Sequence, residues 1–163
     1  MGSPSQAELN SLLEHYQNGR YGDAEKLAIS ITKQFPEHQF SWKILGAVFQ
    51  QTGRMSESVV ICQKAIEVIP QDAEAHYNLG ITLNHLGRLE EAEASFRQAI
   101  SLKPDIAQAH SNLGNTLHEL GKLENAVASY RQAIKVKPDY AEAYSNLGNT
   151  LQELGRLEEA EAS

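Results

Sequence analysis

The chain has 163 residues, 41% of them hydrophobic and 21% charged, which is too apolar for a disordered tail. Its apolar runs are no longer than Val59-Val60-Ile61-Cys62, so no segment is long enough to span a bilayer. Fourteen Lys and Arg against twenty-one Asp and Glu give a net charge of -7, so the attraction to phosphate that drives nucleic-acid and anionic-membrane binding is missing, and neither is expected as a partner.

Met1-Gly2-Ser3-Pro4-Ser5 lacks the basic and apolar regions of a signal peptide, and Gln6 breaks the myristoylation pattern. Residues 1–4 are read as a leader, and residues 5–163 as one domain. Within it Pro36, Pro70, Pro104 and Pro138 recur every 34 residues. Shifted by that period, residues 73–106 and 107–140 agree at 22 of 34 positions, and residues 141–163 agree with 73–95 at 18 of 23. Residues 39–72 match their successor at 8 of 34 positions, including Leu45, Gly46, Gly53, Ala65 and Pro70. Residues 5–38 stay in phase through Gly19, Arg20, Ala24 and Pro36 and form a divergent first unit. The units are 5–38, 39–72, 73–106, 107–140 and a shortened 141–163.

With Ala73, Ala107 and Ala141 as slot 1, slots 3 to 14 carry apolar residues at helical spacing, as in Ala109, Leu113, Leu117 and Leu120, until a Gly at slot 15 breaks the helix. Slots 17 to 30 repeat the pattern with Leu123, Ala126, Tyr130, Ala133 and Ile134, and the Pro ends it. Each unit is therefore two antiparallel helices, with Asp72, Asp105 and Asp139 expected as N-caps. Gly46, Gly80, Gly114 and Gly148 fall inside helices at a cost of about 1 kcal/mol each relative to Ala. Close approach compensates: Ala92, Ala126 and Ala160 meet the glycine helix, and Phe96 or Tyr130 fills the space beside it. Ala65, Ala99 and Ala133 admit the next unit, so the units stack into an α-solenoid.

The bulky residue at slot 4 (Trp42, His76, His110, Tyr144), Leu-Gly at slots 7 and 8, Gly at 15, Ala at 20, an aromatic at 24, Ala at 27 and Pro at 32 resemble the tetratricopeptide repeat over residues 5–163. The resemblance implies an all-α right-handed superhelix of helix pairs whose first helices line a concave groove for protein partners. Residues 109–115 and 143–149 are also similar to the repeat arm of O-linked N-acetylglucosamine transferases and related bacterial repeat proteins. The first two units depart from the pattern, with Ser11-Leu12 for Leu-Gly, Ala28 and Cys62 at slot 24, and Ser58 at slot 20.

Slots 2, 6, 9 and 13 form one stripe on each first helix, away from the buried slots. The stripe reads Gln6, Asn10, Leu13, Gln17; Phe40, Ile44, Ala47, Gln51; Glu74, Asn78, Ile81, His85; Gln108, Asn112, Asn115, Glu119; Glu142, Asn146, Asn149, Glu153. It holds four Glu and no Lys or Arg; Lys43, at slot 5, is the one nearby. Asn78, Asn112 and Asn146 share slot 6 although Asn is a poor mid-helix residue. A column of amides can pair with an extended peptide backbone, since helices about 8 to 10 Å apart match about three residues of strand. It can equally bond to the neighbouring helix. The resemblance implies an asparagine ladder here, which Asn115 and Asn149 widen. Clasping a carboxylate-ended peptide requires several bases in the groove, and the stripe does not supply them.

No catalytic constellation stands out. His76 and His110 are expected to pack, and His85 with His118 would lack a third metal ligand. The lone Cys62 cannot form an internal disulfide, is expected to be a buried inert thiol, and fits a reducing, cytoplasmic setting. The expectation is a non-catalytic interaction scaffold without cofactor or metal, its partner an extended neutral or basic protein segment. The alternatives are the recognition arm of a larger enzyme such as a glycosyltransferase, or a self-assembling scaffold. Leu147, Leu151 and Leu154 are expected to be partly uncovered at the open carboxy-terminal end, favouring homo-oligomers, with residues 157–163 frayed or rearranged into a neighbour.

Overall fold

The computed structural model describes residues 2–161, with side chains through residue 157. Among them the chain forms helices α1 (Gln6–Gln17), α2 (Tyr21–Gln34), α3 (Gln39–Gln51), α4 (Met55–Val68), α5 (Ala73–His85), α6 (Leu89–Leu102), α7 (Ala107–Glu119), α8 (Leu123–Val136) and α9 (Ala141–Glu161), and no strand. Pro4 is buried and a Cβ built on Gly2 would stand 3.5 Å from the Phe35 ring, so the residues before α1 rest on the end of α2.

Helices α1, α3, α5 and α7 end because a glycine takes the left-handed conformation that residues with a Cβ avoid: Gly19, Gly53, Gly87 and Gly121 have φ between 71° and 77°. The next residue turns its N–H back to the helix, as Arg20 to His15, Arg54 to Phe49, Arg88 to Leu83 and Lys122 to Leu117, satisfying carbonyls that would otherwise be orphaned. At the start of α1, Ser5 and Glu8 form a reciprocal capping box. Asp72 caps α5 by accepting from the N–H groups of Glu74 and Ala75. The expected cap at Asp105 is not formed: Ile106 occupies the N-cap of α7 without a side-chain bond, because this Asp stands one residue further from the helix than Asp72 does. Tyr140 likewise separates Asp139 from α9.

The slot 4 residues supply an unforeseen staple. Trp42 Nε1, His76 Nε2 and His110 Nε2 each lie 2.8 Å from the carbonyl oxygen of the proline six residues earlier, Pro36, Pro70 and Pro104. A carbonyl only accepts, so both histidines carry their proton on Nε2 and tie a first helix to the turn preceding it.

Two clusters form the core. Leu12, Ala24, Ala28, Ile31, Ile44, Leu45, Val48 and Phe49 pack the first two units. Val59, Cys62, Leu79, Leu83, Ala92, Phe96, Leu113, Leu117, Ala126 and Tyr130 pack the rest. Successive helices pack on one another, and each first helix also touches the first helix of the next unit, whereas among the described residues no second helix meets another second helix. The first helices are therefore the inner, more crowded layer, and the solenoid curves around them.

The fifth unit differs from the expected pattern. Gly155 stands in the slot that breaks the other four units, yet α9 runs through it to Glu161. Among the described residues no returning helix packs on α9, and without one the continuous helix gains a hydrogen bond for each residue added. The expected fraying of residues 157–163 is thus replaced by helix as far as Glu161. Residues 162 and 163, and the packing expected of Ala160, lie outside what is described. The same substitution should therefore act oppositely at two equivalent positions. Gly121→Ala forces a Cβ into the left-handed region and should cost about 1 to 2 kcal/mol, while Gly155→Ala should gain up to about 1 kcal/mol as an interior helix position. Urea denaturation of both variants checks this; equal losses would mean that Gly155 turns the chain in solution.

Candidate functional site

The inner face carries the stripe read from the sequence, and the structure divides it into three stretches. In the first two units it is closed by apolar packing. Ile44 is buried against α1 and α2, and Phe40 is half-buried against the same cluster with its ring 6.4 Å from His38. Gln6 donates to Asn10, so these polar residues bond within α1.

In the middle stretch charge is neutralised. Lys43 reaches across the unit boundary to Asp72 and Glu74. Burial pulls its pKa down, but the two carboxylates outweigh that and leave it raised, while Asp72 is lowered against its own burial by the Ala75 N–H and Lys43. The one Lys or Arg near the stripe is thus held between units.

The third stretch, from α5 to α9, is polar and open. Asn112 donates to the Tyr77 hydroxyl at 3.1 Å, Asn146 donates to Asn115 Oδ1 at 3.0 Å, and the Tyr130 hydroxyl donates to the same oxygen at 2.8 Å. Each slot 6 amide in α7 and α9 thus uses one N–H toward the preceding unit. Its carbonyl oxygen and second N–H make no bond among the described residues. Asn78 is half-buried in the same column, and Asn149 is exposed beside Asn146. Asn115, Asn146, Asn149, Glu119, Glu142 and Tyr130 line an open cleft of about 410 Å³. Glu119 and Glu142 are exposed and have no ion-pair partner among the described residues, whereas Glu153 is bonded to His118 at 2.8 Å. Burial drives the Tyr130 phenol up to about 12, helped by Glu142 and Glu119, so it is a neutral donor across the ordinary pH range.

The backing of this column was missed in the sequence. Thr82, Thr116 and Thr150 at slot 10 are buried, and each donates to the carbonyl of the slot 6 Asn one turn earlier. Gln50 and Asn84, at slot 12, reach across to Thr82 and Thr116 of the next unit. A polar residue recurring at a slot that faces the core was the available signal. His85 and His118 make no metal cluster: no group of three or more potential ligands is present among the described residues. Cys62 is buried 3.8 Å from Ser58 Oγ and its thiol is pushed up by burial, which keeps it protonated.

A stack of antiparallel helix pairs with an inner face made of first helices defines the class of molecule, a helical-repeat solenoid that presents a groove. Models described as tetratricopeptide or TPR repeats match residues 10–68, 73–106, 95–128 and 114–155, so the chain is built of tetratricopeptide repeats. No curated protein matches it in sequence. Among solved structures it is similar to the MamA protein, at 22% identity over 94% of this chain and 84% of that one with a TM-score of 0.86. It also resembles YrrB, described as a TPR protein with an unusual peptide-binding site, at 18% identity over 93% and 78% with a TM-score of 0.80. The first TPR of Spaghetti (RPAP3), bound to the HSP90 peptide SRMEEVD, follows at 23% identity over 72% and 93% with a TM-score of 0.71. At these identities the likeness establishes the fold.

Proposed function

We propose that the chain is a non-catalytic scaffold that binds an extended, neutral or basic protein segment along the inner face of α5, α7 and α9. The observation that carries this reading is the half-exposed column of Asn78, Asn112 and Asn146, in which Asn112 and Asn146 each keep a carbonyl oxygen and one N–H unbonded among the described residues, flanked by Glu119 and Glu142 without cationic partners there. Amide pairs suit a peptide main chain, because they both donate and accept and do not select a side chain. Two structural neighbours are described as peptide-binding, one of them with the acidic peptide SRMEEVD. The present groove is acidic like that peptide, and the nearest Lys or Arg, Lys43, is occupied by Asp72 and Glu74, so an acidic tail is the disfavoured ligand. The same column would serve equally as the recognition arm of a larger enzyme, as the likeness of residues 109–115 to glycosyltransferase arms implies.

The test is fluorescence anisotropy with matched neutral, Lys-rich and Glu-rich peptides at low and physiological salt. Lys-rich peptides should associate faster than Glu-rich ones, and the gap should narrow as salt screens the Glu residues. Since a hydrogen bond is worth about 0.5 to 1.5 kcal/mol net, replacing Asn78, Asn112 and Asn146 together by Ala should weaken binding by about a hundredfold. Equal rates for both peptides, or unchanged binding by the triple variant, would rule the groove out.

A further inference from the structure

The outer face holds a second recessed site, built by two complete units and separate from the amide column. Helices α6 and α8 both pack on α7, but among the described residues they do not meet each other, so a wedge opens between them with the outer flank of α7 as its floor. This cleft measures about 460 Å³. Ile100 of α6, Leu113 and Leu117 of α7 and Ala128 of α8 give it an apolar base. Its rim is uncharged in sum, because Ser101 and Asn125 are neutral and the Arg97 guanidinium is paired with Glu93. The corresponding place one repeat earlier carries Glu67 and Glu91 where this one carries Ser101 and Asn125, so the wedge between α6 and α8 is the neutral one of the two.

Two buried polar side chains line the cleft without a partner. His110 is 8% exposed and Ser129 is 9% exposed. The Nε2–H of His110 is spent on the Pro104 carbonyl, which fixes the tautomer and leaves Nδ1 as a bare acceptor. Neither Nδ1 nor the Ser129 hydroxyl bonds to a described residue, and neither is among the unbonded atoms sealed from solvent, which are His15 Nδ1 and Ser111 Oγ, so both open into the cleft they line. Buried polar groups ordinarily have partners, and the chemistry of this pair sets what would supply them. Nδ1 needs a donor, the Ser129 hydroxyl can donate or accept, and the base wants apolar area. A phenol meets all three demands, with its ring on the base, its O–H directed to Nδ1 and its oxygen accepting from Ser129. An indole donates but does not accept, a carboxylate brings no donor, and an ammonium finds no free anion, since Glu93 is held by Arg97 and Lys122. We propose that this wedge takes a tyrosine side chain presented by a partner protein, independently of what the inner groove binds. Because two helices and a floor leave the outer side open, the rest of the ligand's surface has to be covered by the chain that carries it, which a free small molecule lacks.

The probes are a capped Gly-Gly-Tyr-Gly-Gly peptide and its Phe and Trp counterparts, titrated into the isotope-labelled whole chain and followed by NMR shifts. The Tyr peptide should saturate a set of shifts centred on His110, Leu113, Ala128 and Ser129, and should bind about tenfold more tightly than the Phe peptide, which lacks the hydroxyl. Ser129→Ala should narrow that preference several-fold, because the phenol oxygen loses its donor while the ring keeps its contact. Ala128→Leu fills the base from an exposed helix position, should retain helicity by circular dichroism, and should abolish these shifts. Replacing Asn78, Asn112 and Asn146 together by Ala should leave them unaltered, so failure of this site and failure of the inner groove are separate results. The proposal is overturned if the Tyr peptide gives no saturable shifts on this face, if the Phe or Trp peptide binds as tightly, if Ser129→Ala prefers Tyr over Phe as strongly as the parent does, or if Ala128→Leu binds like the parent.

Discussion

Gly114→Ala should destabilise the protein by about 2 kcal/mol, an unusual result for a substitution that ordinarily strengthens a helix by about 1 kcal/mol. The added methyl would lie 2.6, 2.7 and 2.9 Å from three carbons of the Tyr130 ring, and that ring is 2% exposed, with close-packed neighbours on its other sides. Gly80→Ala should behave alike, with the Phe96 ring at 2.7 Å. At Gly46 the nearest atom is the Cys62 sulfur at 3.3 Å, and the softer, slimmer thiol should bring the effect near zero. Gly148→Ala has open space and should raise stability by up to about 1 kcal/mol in dilute solution. Four glycines in one slot should thus give a graded series in urea denaturation, and a loss at Gly148 equal to that at Gly114 would show that a helix covers α9 in the isolated chain.

That series also marks where sequence reasoning succeeded. A close approach at Gly80 and Gly114 follows from spacing, because a glycine repeated inside a helix needs compensation, but the expected partners there were Ala92 and Ala126 with the aromatic beside them, whereas the rings of Phe96 and Tyr130 themselves stand over the glycines. The 34-residue period of Pro36, Pro70, Pro104 and Pro138 likewise defined the stacked units. What stayed hidden depended on geometry between units. The sequence places Lys43 one slot from the groove stripe, and only the fold shows its ammonium turned to Asp72 and Glu74. Asn115 reads as a widening of the amide column, while its oxygen is already shared between Tyr130 and Asn146. Gly155 matches Gly121 in every local respect, so no local rule could distinguish the glycine that turns from the one that does not; the distinction lies in whether a helix returns to pack.

Tyr130 joins the core to the groove, and its substitution should have the largest effect of any single change. It is the bulkiest fully buried side chain, its ring fills the space over Gly114, and its hydroxyl emerges beside the amide column to donate to Asn115. Tyr130→Ala removes the ring and leaves a cavity, with an expected loss of about 3 to 5 kcal/mol. Tyr130→Phe keeps the ring and removes one hydrogen bond, so it should cost about 1 kcal/mol, moderated because Asn146 still donates to Asn115 Oδ1. The two substitutions separate at high pH. Burial raises the folded-state pKa of Tyr130 to about 12, above its unfolded value of about 10, so the neutral phenol binds its proton more tightly in the native state. Its contribution is fully present below pH of about 10 and is lost as pH rises toward the folded-state pKa. Tyr130→Phe should therefore flatten, without abolishing, the fall in stability over that window, since Tyr16 and Tyr77 are also raised by burial. Denaturation curves for both proteins at steps across the window would decide it: parallel curves would mean that water reaches the Tyr130 hydroxyl and that it is not held between α7 and α8 as described.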